Sequence, residues 1–370
     1  MYILNWAMGL ITQLVKWHTR KRNLGISLMA LSSAGFVALG AGGFSIEATG
    51  IAGLVKAFRL STTEGLPGTL QGIVVSILAL AFLAGLGLVI DSYIRERREA
   101  DINRVMVVEL RGLVDTSDHP LIQSVPAALN GKRLDMLVDV RRVLTGSSPN
   151  ISEALEEIGD MRRTVRRARG DTARAHARVL AGGVMQVPLL FYVGVLFDDE
   201  GKVILMDWER TAGRWRELDA VDDGSRFRTD GLDAVVATSD VVLAVSASYL
   251  ASLADVAATF PGIPVVHLAL ASPEPNSLWS EDTQVALTQQ FLETMAALAG
   301  RGVETVHLVL AAPASLSMRF GMAYDYRNMP DLRCYQRERG HIPPYPWSIQ
   351  MPTATQTARY LETSTPAVAA

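Results

Sequence analysis

Two long runs without a charged side chain lie near the start of this sequence, and they constrain everything after them. No Asp, Glu, Lys or Arg stands between Arg22 and Glu47, or between Glu64 and Asp91. Residues 24–44 and 70–90 are each long enough to cross a hydrocarbon core of about 30 Å as a helix. Core helices of a soluble domain rarely run that far without a polar face. A cleaved signal peptide fits no better, because the first run is longer than an h-region and a second run follows it.

Lys and Arg near the runs set the expected orientation. Lys16, Arg20, Lys21 and Arg22 precede the first, Lys56 and Arg59 lie between the two, and Arg95, Arg97 and Arg98 follow the second. Positive residues favour the cytoplasmic side, so a two-span hairpin (24–90) with cytoplasmic N- and C-termini is expected. Residues 1–23, with Tyr2, Trp6 and Trp17, read as a cytosolic amphipathic segment lying on the inner leaflet, and 51–60 as a similar helix outside. Gly35, Gly40, Gly42, Gly43, Ala81 and Gly85 would let the spans approach closely. Neither span holds an ionisable residue, which argues against a transporter or proton relay.

The remaining composition narrows the rest. At 370 residues and 49% hydrophobic, the chain has room for two or three folded units and is too apolar for a disordered one. The lone cysteine, Cys334, excludes a disulfide framework and a cysteine zinc cluster, and suits the cytosol. The net charge is −3; residues 1–23 carry +4 and 24–90 none, so 91–370 carry −7. General nucleic-acid binding would leave a basic footprint instead.

Beyond the spans, 91–103 reads as a helical stalk, and VMVVEL (105–110) as a strand. Residues 134–143 and 152–180 are expected to be helical. Arginines at 162, 163, 166, 167, 169, 174 and 178 read as a solvated face paired with Glu153, Glu156, Glu157 and Asp160, or else as a basic patch facing membrane or a second subunit. Residues 189–197 and 202–208 flank Asp198-Asp199-Glu200-Gly201 and read as a β-hairpin, with 214–219 a further edge and Asp222-Asp223-Gly224 a turn. Strands are then expected at 241–246, 265–271 and 305–311, with helices near 249–259 and over 281–299 capped by Ser280.

VHLALASP and VHLVLAAP repeat at a spacing of 40 residues, from Val266 and Val306. With the helix between them they read as a right-handed βαβ unit in a parallel sheet. Ligands bind beyond the carboxyl ends of such strands. The loops there are SASY (246–249), SPEPNSLW (272–279) and PASLSMRF (313–320). They supply Ser246, Ser248, Ser315 and Ser317 as donors to phosphate and Arg319 as a counter-charge. Trp279, Phe320, Tyr324 and Tyr326 offer aromatic surfaces for stacking and Arg327 a second counter-charge, with Tyr249 and Pro313 in the same loops. Tyr324 and Tyr326 alternate as in a strand. His267 and His307 sit within apolar runs and read as core residues. No HExxH, GxSxG, Walker A or SxxK motif is present, so hydrolysis has no support.

From about Val105 to Pro352 the chain resembles a SAVED domain, the sensor of bacterial CBASS antiphage systems. The resemblance rests on GGVMQVPLLFYVGVLFDDEGKVILMDWER (182–210), WRELDAVDDG (215–224), HLVLAAPASLSMRFG (307–321) and YPWSIQMP (345–352). Fused to two spans, it is similar to the transmembrane subclass of these effectors. The resemblance implies two fused CARF-like Rossmann halves (104–355, with 356–370 a flexible tail) that bind a cyclic oligonucleotide, a trinucleotide foremost, made by a partner cyclase. It implies no cofactor, no metal and no catalysis. It further implies head-to-tail homo-oligomerisation, contact with the lipid bilayer and loss of inner-membrane integrity. Family ligands touch a basic residue of the first half, for which Arg226 is the expectation. A membrane-anchored nucleotide-processing enzyme and a ligand-free membrane adaptor are the competing readings.

Overall fold

The computed structural model describes residues 21–40, 44–48, 58–62, 68–145, 149–198, 200–236 and 238–363. The expected interfacial helix at the N-terminus lies outside them. The chain divides into two units, 1–101 and 102–370.

In the first unit, α1 (Lys21–Gly40) and α2 (Gly68–Ile102) flank a two-stranded antiparallel hairpin, β1 (Phe44–Ala48) and β2 (Phe58–Thr62). Residues 58–60 of the helix expected at 51–60 are therefore strand, and 51–57 lie outside the described residues. The helices run antiparallel, Gly25 facing Gly85 and Gly35 facing Leu78; a Cβ on Gly25 or Gly85 would lie 2.7 Å from the other's carbonyl oxygen. That is the close backbone approach small residues permit in apolar surroundings. Among the described residues one helix is long and apolar enough to cross a membrane, Gly68–Arg98 within α2, with a mean hydropathy of 2.9. The charged stretch after it continues the same helix to Ile102.

The second unit holds two sheets. In the first, β3 (Arg104–Arg111), β4 (Lys132–Asp139), β5 (Ala177–Val184) and β6 (Lys202–Glu209) are parallel, and β7 (Arg214–Glu217) closes one edge antiparallel, in the order β4-β3-β5-β6-β7. The second sheet is built from β8 (Arg228–Asp230), β9 (Asp240–Ser246), β10 (Val265–Ala269), β11 (Thr305–Ala311), β12 (Asp331–Gln336), β13 (Trp347–Gln350) and β14 (Arg359–Glu362). Its order is β14-β13-β12-β11-β9-β10-β8, with β9 to β12 parallel.

The sheets follow one plan. Apart from the antiparallel edge strand β8, each runs from a central strand (β3, β9) to one side (β4, β10), crosses to the other (β5, β11) and continues outward (β6, β12). At each reversal the two residues after the central strand donate to one carbonyl of the returning strand. Gly112 and Leu113 N–H reach Val184 O, and Ala247 and Ser248 N–H reach Ala311 O, all at 2.9 Å. After β5 and β11 come α5 (Val187–Phe197) and α8 (Ala314–Ala323), which pack on each other. Their crossing is made by Gly194 and Gly321, where a Cβ would overlap Met318 O and Phe191 O respectively. These are two Rossmann-like halves joined through equivalent helices. Phe291 stacks on Phe320 at 4.4 Å beneath that joint, and Phe191 meets Phe291 edge-on.

Several expected elements differ. Residues 189–197 are α5, not a strand: the helix is buried nearly all round, so its sequence shows no polar face to mark a 3.6-residue period. Of the helix expected at 134–143, residues 134–139 belong to edge strand β4, whose partly exposed pattern imitates an amphipathic helix, and only the end is helical, as α3 (Arg141–Leu144); the helix expected near 249–259 is α6 (Leu253–Thr259). The helix begun at 152 is α4 (Ile151–Arg169); it ends at Gly170, and 177–184 form β5. The repeat strands β10 and β11 are parallel but flank β9 instead of pairing. Tyr324 and Tyr326 follow α8 in a turn, and Arg359–Glu362 of the expected tail form β14, with Tyr360 against Trp347.

Candidate functional site

The carboxyl ends of both sheets open on one cleft of about 570 Å³, within the range of small-molecule sites. One wall comes from the first half: Leu113 after β3, Met185 to Val187 after β5, and Asp207, Trp208 and Arg210 at the end of β6. The other comes from Ser248 to Ser252 after β9, Pro275 to Trp279, Ala312 to Ala314 after β11, and Tyr335 to Arg337 with Arg339 at the end of β12. Both switch points therefore contribute, where α/β sheets bind ligands.

Of the residues expected from sequence, Ser248, Tyr249, Trp279 and Pro313 line this cleft. Tyr249 is half exposed at its mouth. Trp279 is held: its Nε1 donates to Asn276 O at 2.5 Å, and the Arg216 guanidinium lies 4.4 Å from its ring centre. Asn276 itself takes a left-handed backbone (φ 59°), a conformation concentrated at functional sites.

The other expected residues are not on the cleft wall. Ser246 is buried, its Oγ accepting from Ala251 N–H at 2.9 Å and sharing a hydrogen bond with His267 Nε2. Ser317 donates to Pro313 O inside α8. Phe320 and Tyr324 are core, the Tyr324 hydroxyl donating to Pro330 O. Arg319 pairs with Glu281 at 3.3 Å, and Arg327 lies over the Tyr326 ring in the turn after α8. Arg226 is bound to Asp222 at 2.8 Å in the DDG turn. Sequence pattern located the loops, but α8 turns Ser315, Ser317 and Phe320 inward.

Ser315 contacts the opposite half. Its N–H donates to the Asp207 carboxylate at 2.8 Å and its hydroxyl donates to the same group, while Gln284 Nε2 donates to Ser315 Oγ at 2.7 Å. Pro313, at the N-cap of α8, offers no side-chain acceptor. Asp207, from β6, supplies the cap instead, at the electropositive end of the helix. Complete burial still raises the Asp207 pKa, opposed by the Ser315 hydrogen bonds and the Arg319 charge.

Three arginines not expected from sequence, Arg210, Arg337 and Arg339, also line the cleft. Arg337 is held by Asp255 at 2.7 Å. Each follows a strand of a parallel set, β6 or β12. Reading DLRCYQ as a strand, and 202–209 as a parallel strand rather than half of a hairpin, marks all three. His307 is a core residue: it bonds the Tyr335 hydroxyl at 2.8 Å and Asp240 at 3.1 Å, and burial lowers its pKa. Among the described residues no cluster of His, Cys, Asp and Glu could hold a metal.

Comparison with known proteins agrees with this architecture. Residues 161–351 match the family model for the SMODS-associated and fused to various effectors sensor domain, SAVED. Residues 1–155 match the SAVED-fused 2TM effector domain, a family that implies two membrane spans. That match reaches into β3 and β4, which pair in the same sheet as β5. Similar solved structures include the Acinetobacter baumannii Cap4 SAVED/CARF-domain containing receptor with the cyclic trinucleotide 2'3'3'-cAAA (12% identity, 80% of this chain and 60% of that chain, TM-score 0.42). The same receptor with 3'3'3'-cAAA gives 12% identity, 78% and 60% coverage, and a TM-score of 0.45. The Moraxella osloensis Cap4 receptor gives 12%, 74%, 57% and 0.42. The chain thus spans about 60% of the length of these receptors. No curated protein matches it. With just over half of its length matching that sensor model, the chain belongs to the SAVED family, and its N-terminal part carries the SAVED-fused 2TM effector domain.

Proposed function

We propose that this protein is a membrane-anchored receptor for a cyclic oligonucleotide, a trinucleotide foremost, acting as the effector of a CBASS-type antiphage response. The observation that carries the reading is the convergence of Arg210, Arg337 and Arg339 with the aromatic side chains of Trp208, Tyr249, Trp279 and Tyr345 on one cleft between two Rossmann halves. Arginines neutralise and fork onto phosphate oxygens, and aromatic faces stack on bases. Ser248 and Pro313 complete the wall, while Ser315 acts through Asp207 as a positioning residue. The protein performs no chemistry on the ligand in this account.

Output follows from assembly. Leu250, on the cleft wall, and Ile342, in the loop between the lining residues Arg339 and Tyr345, are strongly exposed apolar side chains available to a second copy. Ligand-driven head-to-tail stacking gathers many membrane hairpins in one patch, and the inner membrane loses integrity. The positive-inside rule places both termini in the cytoplasm.

The test uses the full chain reconstituted in dye-loaded liposomes and exposed to cyclic di-, tri- and tetranucleotides. Dye release and a rise in scattering mass with one ligand, and with none of its linear counterparts, are expected. Conversion of the ligand by the protein would favour the enzyme reading, and silence toward every cyclic nucleotide would favour the adaptor.

A further inference from the structure

The arginines of α4 take no part in the cleft, and the structure shows where they lie. The C-terminal end of α4 meets the amino ends of the first sheet. Arg104 Nη1, at the start of β3, donates to Ala168 O at 2.9 Å. Arg166 and Arg169 hold Glu200, just before β6, at 3.0 and 3.3 Å. The strand register brings further positive charge to this edge, with Arg104 opposite Lys132 and Arg178 opposite Lys202.

The result is a basic rim in which Lys132, Arg133, Arg167, Arg174 and Lys202 are exposed. Nearby acids offset part of it: Glu200 is buried and committed to two arginines, and Asp101, Asp171, Asp198 and Asp199 are fewer than the nine arginines and lysines gathered at this edge, Arg104, Lys132, Arg133, Arg166, Arg167, Arg169, Arg174, Arg178 and Lys202. This concentration stands out in a region, 91–370, that is net negative. It also lies at the edge where the chain enters the unit, since β3 opens two residues after α2 ends. The helical stretch from 91 to 102 that follows the apolar run is short, about 18 Å of helix.

We propose that this rim is a docking surface for anionic lipid headgroups of the leaflet from which α2 emerges. A phospholipid surface is flat and negative, and the helix joining it to this unit is short. Each basic side chain near such a surface contributes roughly fivefold in occupancy, so a few engaged residues hold the sensor down. Docking sets the pose from which ligand-driven assembly starts, and it uses none of the cleft residues. The proposal rests on membrane anchoring, not on ligand identity.

The experiment places the full chain in nanodiscs of phosphatidylcholine alone or mixed with phosphatidylglycerol. A fluorophore on Ala173→Cys, beside Arg174, reports quenching by a headgroup-labelled lipid; buried Cys334 stays unlabelled. Stronger quenching with phosphatidylglycerol, abolished by high salt, is expected. Arg167→Glu with Arg174→Glu and Lys202→Glu should lower the docked fraction by about tenfold or more. The composition and salt arms keep the rim intact, so a misfolded charge variant leaves the answer readable. Equal, salt-indifferent quenching in both discs would overturn the proposal, as would quenching that tracks protein copies per disc, the mark of a second subunit on the rim. Co-purification with discs reports anchoring separately; a chain that enters neither disc removes the anchoring and the rim's role together.

Discussion

Asp207 caps a helix that belongs to the other half of the sensor: its carboxylate accepts the Ser315 N–H at 2.8 Å and the Ser315 hydroxyl as well. The two walls of the cleft are thereby tied at one buried point. Asp207→Ala leaves Ser315 N–H uncapped and unsatisfied, at a cost of about 1–3 kcal/mol. A lower Tm of the detergent-solubilised chain and weaker ligand binding are expected together. Because burial raises the folded pKa of this acid, the folded state binds the extra proton, and stability falls as pH rises from about 3.8 through that raised value. Asp207→Asn should remove this component of the pH dependence; an identical Tm–pH curve would contradict it.

The Gly194–Gly321 crossing allows no side chain on either helix. Gly194→Ala or Gly321→Ala drives a Cβ into a backbone carbonyl and should destabilise by about 1–3 kcal/mol or more. Gly300→Ala meets nothing within 4 Å and should be neutral or mildly stabilising. Thermal melts of the three variants separate the cases. Equal melting of all three would remove the helix pair as the joint between halves.

For the cleft arginines, Arg339→Ala should weaken ligand binding by tenfold or more, as loss of a charge-assisted hydrogen bond worth about 1.5–3 kcal/mol implies, with Tm unchanged. Arg226→Ala, which breaks an exposed pair with Asp222, should leave affinity within about twofold. Calorimetry on both variants decides; a larger loss at Arg226 would move the site out of the cleft.

His307 gives a second pH dependence, opposite in sign. Burial lowers its folded pKa below the ordinary 6.5, so below that pH the unfolded chain takes up the proton first. Stability is present above about pH 6.5 and declines as pH falls further. His307→Gln should flatten the decline between pH 6.5 and 5, measured by urea midpoints.

Much of the second half was legible because its strands are short apolar runs between clear punctuation. Ser280, Glu281 and Gly300 bound α7 (Glu281–Gly300), and Ser280 does cap it, accepting from Thr283 N–H. The first half hid itself. Its joint helix α5 is apolar on every side, and a run such as LLFYVGVLF carries no period to separate helix from strand. Read as a strand, that run makes β6 half of a hairpin and hides Arg210 at its carboxyl end. Within the site, sequence located the loops after β9 and β11. Whether Ser315 or Arg319 faces the cleft depends on the rotation of α8, which tertiary packing at Gly321 sets.

The ligand proposed for the cleft of this SAVED chain is a cyclic oligonucleotide. Calorimetric titration of the full chain in detergent with a panel of cyclic di-, tri- and tetranucleotides tests it most directly, with Arg339→Glu alongside. Saturable binding of one member, lost in the variant while its Tm holds, is the predicted result. Absence of binding by a cooperatively melting wild-type chain, or equal binding by the variant, would contradict it.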